Sequence, residues 1–114
     1  MKRFEVWLAN LNPQRGAEVG KVRPVLIVQS NLLNDVGHPS SIICPITTHV
    51  KPELKTLRIN LKEGEGGLER PSAVLIDQIR AIDNKRLIAC KGKISKESVH
   101  QVKRNINIIL DLDW

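Results

Sequence analysis

Short apolar segments separated by turn-forming residues fill most of the chain, a pattern that predicts strands. Proline interrupts one of these segments at Pro45, and a proline within a strand is confined to an edge or a bulge. The sequence therefore predicts a small, strongly bent sheet or barrel. The six predicted strands are 4–11, 24–28, 41–47, 56–61, 73–79 and 87–94.

The apolar period changes near the C-terminus from that of strands to that of a helix. Ser95 is the candidate N-cap of this helix, and Glu97 lies in its first turn, where a carboxylate is favourable. We expect one domain over residues 1–114, mainly β with a C-terminal helix, of the α+β class. The apolar positions at helical spacing are Val99, Val102, Ile106, Ile109 and Leu110.

The charge balance favours anionic partners. The 18 Lys and Arg residues against 12 Asp and Glu residues give a net charge of +6, which suits nucleic acid, an acidic peptide or a membrane surface. No apolar run approaches the roughly 18 residues of a membrane span. Glu5 interrupts the only apolar stretch behind the N-terminal Met1-Lys2-Arg3, so we expect no signal peptide and a cytoplasmic protein.

Cysteine and histidine residues do not form a metal-binding pattern. Cys44 and Cys90 lie in apolar, strand-like segments, and in a reducing compartment we expect both to be buried thiols. His38, His49 and His100 are scattered and share no ligand spacing with the cysteines. The sequence predicts no metal cofactor.

The candidate chemistry lies between residues 11 and 48. Pro24 disfavours helical backbone in Arg23 and so biases this arginine toward an extended conformation at a strand entrance. Thr47 and Thr48 end the next predicted strand. A guanidinium offers forked donors to phosphate oxygens, and a threonine hydroxyl adds one more hydrogen bond. This combination indicates chemistry on nucleic acid.

Two connections contain several glycines, residues 12–22 and residues 62–71. Glycine permits backbone conformations that other residues avoid, so we expect these segments to be mobile walls of a binding groove. A basic run, Lys91, Lys93 and Lys96, is interpreted as a solvated face that adds RNA affinity without specificity.

Several short motifs follow one another along the chain. They are Val6-Trp7-Leu8, Leu11-Asn12-Pro13, Arg15-Gly16-Ala17-Glu18, Val22-Arg23-Pro24-Val25, Pro45-Ile46-Thr47-Thr48 and Asp77-Gln78-Ile79-Arg80. In this order they resemble the MazF/PemK family of toxin endoribonucleases, the mRNA interferases of type II toxin-antitoxin systems. The resemblance covers essentially the whole chain.

The resemblance implies an SH3-like or CcdB/PemK-type bent barrel, a homodimer, and a cognate MazE-like antitoxin. It also implies metal-independent, sequence-specific cleavage of single-stranded mRNA, with no cofactor and no membrane partner. Arg23 and Thr47 match the catalytic pair of the family. Two positions depart from the family pattern, since Phe4 stands where a glycine is usual and Leu75 stands where PemK-like members carry an arginine. The second departure favours the MazF-style pair.

Other matching positions have weaker implied roles. Glu18, Thr48 and Asp77 are candidate supporting residues, and five more residues are candidate RNA contacts. These five are Arg15, Lys21, His49, Gln78 and Arg80.

The chemistry also follows from the residue types. A ribonuclease without a metal can use the neighbouring 2′-hydroxyl as nucleophile, which leaves a cyclic phosphate and a 5′-hydroxyl. Arginine stays protonated in proteins, so Arg23 is assigned an electrostatic role. The proton then passes to Glu18, His49 or water.

Two other functions remain open from the sequence. A gyrase poison of the CcdB type shares the barrel and carries a tryptophan near its C-terminus, which draws attention to Trp114. The other alternative is a noncatalytic RNA-binding or peptide-binding barrel, because the charge and the strand pattern suit it equally well.

Overall fold

Seven strands and two helices make up the protein in a computed structural model, which describes residues 1–18 and 20–112. No helix within these two ranges is long and apolar enough to cross a membrane. The elements are β1 (Glu5–Asn10), β2 (Val22–Ile27), α1 (Asn31–Asp35), β3 (Ser40–Thr47), β4 (Arg58–Leu61), β5 (Ser72–Leu75), β6 (Arg80–Asp83), β7 (Leu87–Lys93) and α2 (Lys96–Ile109).

All strand pairs are antiparallel, in the order β4-β5-β3-β2-β1-β7, with β6 also paired to β3. Strand β3 changes partner along its length: Ser40 to Ile43 pair with β6, whereas Ile46 and Thr47 pair with β5. Pro45 lies between these two ladders, where a missing N–H disrupts the sheet least. The edge or bulge predicted at Pro45 is not found, because β3 is a central strand and Pro45 pairs with Val25 of β2 in a regular ladder. The irregularity is instead the change of partner on the other side of β3.

Two apolar clusters stabilise the sheet, one on each face. The first contains Leu26, Cys44 and Ile46 together with Val102 of α2, so the C-terminal helix closes this core as predicted. The second contains Val25, Ile27 and Ile43, with Trp7 packed against it. Trp7 is half-buried, which agrees with a role in the core.

Helix α2 begins where the sequence predicts. The hydroxyl of Ser95 accepts a hydrogen bond from the amide of Ser98 and caps the helix, which satisfies one of the free N–H groups of the first turn. Glu97 lies in the same turn. This confirms the mainly β fold with a C-terminal helix.

Three features differ from the prediction. The strand expected over 73–79 ends at Leu75, because Ile76–Gln78 form a 3₁₀ turn that leads into the unpredicted strand β6. Helix α1 was also not predicted, since its five residues bury no side chain and carry no apolar period. Cys44 is buried but Cys90 is exposed, and both are free thiols. The expectation for Cys90 was wrong because β7 pairs only with β1 and lies at the edge of the sheet.

The connection 62–71 is anchored to the start of α2 through Glu65. Its carboxylate accepts hydrogen bonds from the Ser98 hydroxyl at 2.6 Å, the Ser95 hydroxyl at 2.9 Å and the Ser95 amide at 3.0 Å. Partial burial raises the pKa of Glu65, but these hydrogen bonds and one from the Lys62 amide outweigh burial and hold the pKa below its ordinary value. The charged form of Glu65 therefore stabilises the fold.

We expect Glu65→Gln to lower the free energy of unfolding by about 1 kcal/mol at neutral pH, since charge-assisted hydrogen bonds are lost from a partly exposed site. The pKa of Glu65 is lower in the folded state than in the unfolded chain. Its contribution is therefore fully present above the unfolded pKa and is lost as the pH falls through the folded pKa. The difference between the two proteins should shrink in acid.

Urea denaturation at a series of pH values measures this difference. Glu63→Gln is the matched control, because Glu63 is exposed in the same connection. A deficit for Glu65→Gln that stays constant down to the pH at which carboxylates are protonated would contradict the role of the charge.

Candidate active site

The pairing of β2 with β3 brings the two predicted catalytic residues together. Val25 lies opposite Pro45, and Leu26 lies opposite Cys44. Extending this register by two residues places Arg23 level with Thr47. Because side chains alternate along a strand, Arg23 and Thr47 then point to the same face of the sheet.

A pocket of about 280 Å³ forms at this position. A second pocket of about 330 Å³ adjoins it and shares Pro24, Thr48 and Ser72 with it. The lining residues of the first, the Arg23 pocket, are Lys21, Arg23, Pro24, Ile46, Thr47, Thr48, His49 and Ser72.

The Arg23 guanidinium is held by a hydrogen bond to the backbone. Its Nε donates to the carbonyl oxygen of Gly20 at 2.9 Å. Burial lowers the pKa of Arg23 from its ordinary value, but an arginine remains protonated in proteins. Because Nε donates to the backbone, the Nη atoms are the donors that can bind a phosphate in the pocket.

The Thr47 hydroxyl is oriented by the segment that follows it. Its Oγ1 accepts a hydrogen bond from the amide of His49 at 3.1 Å. The carbonyl oxygen of His49 in turn accepts from Nη1 of Arg58 at 2.7 Å. Since the amide uses the acceptor side of the hydroxyl, the O–H of Thr47 can donate to a substrate oxygen.

Lys21 adds a second cation beside Arg23 and has a left-handed backbone, with φ of 68°. Its amide donates to Oδ1 of Asn12 at 2.8 Å, and its carbonyl accepts from the amide of Leu11 at 2.8 Å. These two bonds close the base of the connection 12–22. A lysine in this conformation costs free energy that the surrounding bonds must offset, a situation common at functional sites.

The structure separates Glu18 and Arg80 from the lining of the Arg23 pocket. They form an ion pair with each other, with 3.4 Å between Nη1 of Arg80 and Oε2 of Glu18. Both side chains are half-buried. This pair links the connection 12–22 to β6, so its direct effect is on the position of that connection.

Three other predicted residues also lie outside the lining. Asp77 is exposed in the 3₁₀ turn, near enough to Cys44 that its charge adds to burial in raising the pKa of that thiol to about 12. Gln78 is in the same turn, and Arg15 is exposed in the connection 12–22. Of the ten predicted site residues, five line the Arg23 pocket: Lys21, Arg23, Thr47, Thr48 and His49.

The sequence analysis missed several residues that shape the site. Arg58 fixes the backbone of His49 from the start of β4, and Ser72 lines both pockets from the start of β5. Arg70 and Lys91 line the adjoining pocket together with one acid, Glu69. No local motif marks these residues, because only the pairing of distant strands brings them together. Within the described ranges, no group of three or more His, Cys, Asp or Glu side chains could hold a metal ion.

Comparison with known proteins identifies the family of this chain. A family model described as PemK-like, MazF-like toxin of type II toxin-antitoxin system matches residues 2–110. The chain belongs to this family. Endoribonuclease EndoA of Bacillus subtilis (strain 168), a relative of this PemK/MazF chain, is 34% identical over 115 residues, which cover 98% of this chain and 96% of the relative.

Solved structures show the same PemK/MazF fold. Mycobacterium tuberculosis toxin MazF-mt6 superimposes with a TM-score of 0.79 at 26% identity, over 96% of this chain and 99% of that one. A MazE-MazF structure from Deinococcus radiodurans gives a TM-score of 0.77 at 21% identity, over 99% of this chain and 98% of that one. The predicted fold and the predicted family are both confirmed.

Membership of the PemK/MazF family does not favour the gyrase-poison or the noncatalytic alternative. The feature that drew attention to gyrase poisons, Trp114, lies outside the described residues. Arg23 and Thr47, the two residues of the ribonuclease interpretation, line the same pocket.

We expect Gly20→Ala to reduce RNA cleavage at least about tenfold, because displacement of a catalytic group by an ångström costs up to about a hundredfold. A Cβ at position 20 would lie 2.5 Å from Cβ of Gln14 and 3.0 Å from its Cα. The backbone of residue 20 must then shift, and the carbonyl that holds Arg23 shifts with it. Single-turnover cleavage of RNA, compared with the melting temperature, measures the effect.

The double variant Gly20→Ala with Gln14→Gly is the matched control, since it removes the nearest atom of the clash. It should recover part of the lost activity. Full activity in Gly20→Ala alone would show that the bond from Arg23 to Gly20 does not position the guanidinium.

Proposed function

We propose that this toxin is a metal-independent endoribonuclease that cleaves single-stranded mRNA at a specific sequence and so inhibits translation and growth. The observation that carries the proposal is the shared pocket of Arg23 and Thr47, whose free donors both suit one phosphate. The relationship to a protein named Endoribonuclease EndoA supports the same activity.

The proposed reaction is an in-line transesterification. The 2′-oxygen of the nucleotide before the cut attacks phosphorus and gives its proton to a base. The bond from phosphorus to the 5′-oxygen breaks, and the 5′-oxygen takes up a proton from an acid or from water. The products are a 2′,3′-cyclic phosphate and a 5′-hydroxyl. No bond to the protein forms at any stage.

In this reaction Arg23 and Thr47 stabilise the charge that develops on the phosphate oxygens. The Nη atoms of Arg23 donate to these oxygens, and the hydroxyl of Thr47 donates one further bond. Such donors contribute most when their orientation is set before the substrate binds. The bonds from Nε to Gly20 and from the His49 amide to Oγ1 supply that orientation.

For proton transfer we favour His49 or water over Glu18. His49 is exposed and lines the Arg23 pocket, whereas Glu18 is paired with Arg80 and does not line it. Thr48 and Lys21 are proposed to contact the RNA within the pocket. Only RNA that extends beyond the Arg23 pocket would contact the remaining predicted residues, Arg15, Asp77, Gln78 and Arg80.

Two macromolecular partners are proposed, both in the cytoplasm. One is a second copy of this chain, because α1 exposes 80% of Leu32, and the residue that caps its C-terminus, Val36, is 75% exposed, an apolar surface typical of protein contacts. The other is a MazE-like antitoxin. Its acidic segment would fold onto the basic groove that contains the Arg23 pocket and that the connection 12–22 flanks, and so exclude RNA. The description of the family as toxins of toxin-antitoxin systems supports this partner.

We expect Arg23→Ala and Thr47→Ala each to reduce kcat/KM for RNA cleavage by about a hundredfold to a thousandfold, since each removes a donor worth about 2.7 to 4 kcal/mol in the transition state. The assay measures cleavage in excess EDTA and maps the fragment ends. The ends should carry a cyclic phosphate and a 5′-hydroxyl.

Thr47→Ser keeps the hydroxyl and is the matched control for Thr47→Ala. Arg104→Ala removes an exposed arginine of α2 and controls for the loss of positive charge. Unchanged cleavage by both alanine variants at positions 23 and 47 would contradict the assignment of the pair, provided that both proteins melt at the wild-type temperature.

Sedimentation equilibrium tests the two assemblies. The purified protein should be a dimer, and Leu32→Glu should shift it toward monomers because a charge would enter the apolar contact. An acidic antitoxin segment should bind the dimer and compete with RNA. A monomer at all concentrations would contradict the dimer, and antitoxin bound together with RNA would contradict exclusion.

A further inference from the structure

A basic groove separate from the Arg23 pocket lies at the opposite end of β1. It has a volume of about 530 Å³ and lies between the start of β1, the end of β7 and the first turns of α2. A further pocket of about 420 Å³ shares Arg3 and Lys103 with it and continues along α2. We call the first of these the α2 groove, and its polar and aromatic lining includes Arg3, Phe4, Lys93, Lys96, His100 and Lys103.

The cations of the α2 groove have no acidic partners among residues 1–18 and 20–112. The ion pairs in these ranges are Lys2 with Asp35 and Arg80 with Glu18. No Asp or Glu side chain lines the groove. Four permanent positive charges thus share one concave surface that no carboxylate lines, and the nearest cross-strand acid is Glu5, opposite Lys93. This excess of positive charge favours a bound polyanion.

Phe4 orders two of these cations. The guanidinium carbon of Arg3 lies 4.6 Å from the centroid of the Phe4 ring, and Nζ of Lys103 lies 5.8 Å from it. Nε of Arg3 also donates to the carbonyl oxygen of Val28 at 2.9 Å. The cation–π contacts and this hydrogen bond place the charges before any ligand arrives.

The backbone of Phe4 is left-handed, with φ of 70°, a conformation that is a genuine outlier for a bulky residue. Its amide donates to the carbonyl of Ile27 at 2.6 Å, and its carbonyl accepts from the amide of Ile94 at 3.2 Å. A backbone conformation of this kind costs about 1 to 3 kcal/mol. It persists only where surrounding contacts hold the residue in place, which is often the case at binding sites. Here it presents an aromatic ring to Arg3 and Lys103.

The α2 groove is distinct from the Arg23 pocket. Along β1, Glu5 pairs with Lys93 at one end and Ala9 pairs with Arg23 at the other. Glu5 and Ala9 are four residue steps apart along β1, which corresponds to roughly 13 Å. A ligand that fills the Arg23 pocket therefore has to extend along the molecule to reach Lys93.

We propose that the α2 groove binds the phosphate backbone of the RNA substrate outside the segment that is cleaved. This inference rests on the proposed ribonuclease function. A single-stranded RNA carries a charge at every nucleotide, so it can contact several of the four cations at once. A strand already held at Arg23 also meets the groove at high effective concentration.

The contacts in this groove are to phosphates and not to bases. The Phe4 ring is half-buried and packs against the first apolar cluster. Arg3 and Lys103 already contact this ring, and these contacts compete with the stacking of a base. The remaining cations are lysines, which act on phosphates as point charges. The groove therefore adds affinity for long RNA without changing the sequence that is cut.

The test combines Lys93→Gln, Lys96→Gln and Lys103→Gln in one variant, which leaves Arg3 and Phe4 in place. The matched control changes exposed lysines that lie outside the α2 groove: Lys55→Gln, Lys62→Gln and Lys85→Gln. Each protein is assayed on a short RNA limited to the cleaved sequence and on the same sequence with long unstructured flanks. Binding is measured on the long RNA made uncleavable by a deoxynucleotide at the cut.

In the groove variant we expect KM and Kd for the long RNA to rise about tenfold at physiological salt, while kcat and KM for the short RNA stay unchanged. The slope of log Kd against log salt should fall by about 2 units, at roughly 0.7 per phosphate contact for three lost contacts. The control variant should lose much less of this slope.

Equal effects on short and long RNA, or no effect on either, would overturn the proposal. Unchanged RNA binding together with lost binding of polyglutamate would also overturn it, in favour of an acidic peptide as the ligand. If the wild-type protein cuts no RNA, the ribonuclease proposal fails. Binding of the uncleavable long RNA then still decides whether the groove holds RNA phosphates.

Discussion

The antiparallel register between β2 and β3 is the constraint on which the active site depends. It pairs Val25 with Pro45 and so carries Arg23 and Thr47 to the same face of the sheet. A shift of one residue would turn one of the two side chains to the opposite face. The buried side chains of Val25, Leu26, Ile27 and Ile43 oppose such a shift, because it would move apolar groups out of the core. The same residues that stabilise the fold therefore align Arg23 and Thr47, the proposed catalytic pair.

Around this pair, the backbone supplies the orientation. The carbonyl of Gly20 holds Arg23 through Nε, and the amide of His49 holds the hydroxyl of Thr47. Both bonds leave the outward donors free, so the site is arranged for an oxyanion before the substrate binds. The left-handed conformation of Lys21 belongs to the same turn, and its cost is offset by the two hydrogen bonds that close the connection 12–22.

The sequence predicted the parts of this site that local chemistry determines. Pro24 restricts Arg23 and Ser95 caps α2, because each effect acts over a few residues. Pro45 marks the position where β3 changes partner, although the edge or bulge predicted there is absent. The sequence did not predict Arg58 behind His49 or the ion pair of Glu18 with Arg80. These contacts depend on which distant strands become neighbours, and β6 itself was missed because its four residues follow a 3₁₀ turn within an apparently continuous apolar run.

The most direct test of the account is cleavage of one RNA in excess EDTA, with and without a single deoxynucleotide on the 5′ side of the cut. The account predicts cutting of the all-ribose strand, with a cyclic phosphate and a 5′-hydroxyl as ends, and no cutting at the deoxynucleotide even though the strand still binds. Cutting at the deoxynucleotide, or cutting that requires a divalent metal, would contradict a reaction in which Arg23 and Thr47 stabilise attack by the 2′-hydroxyl.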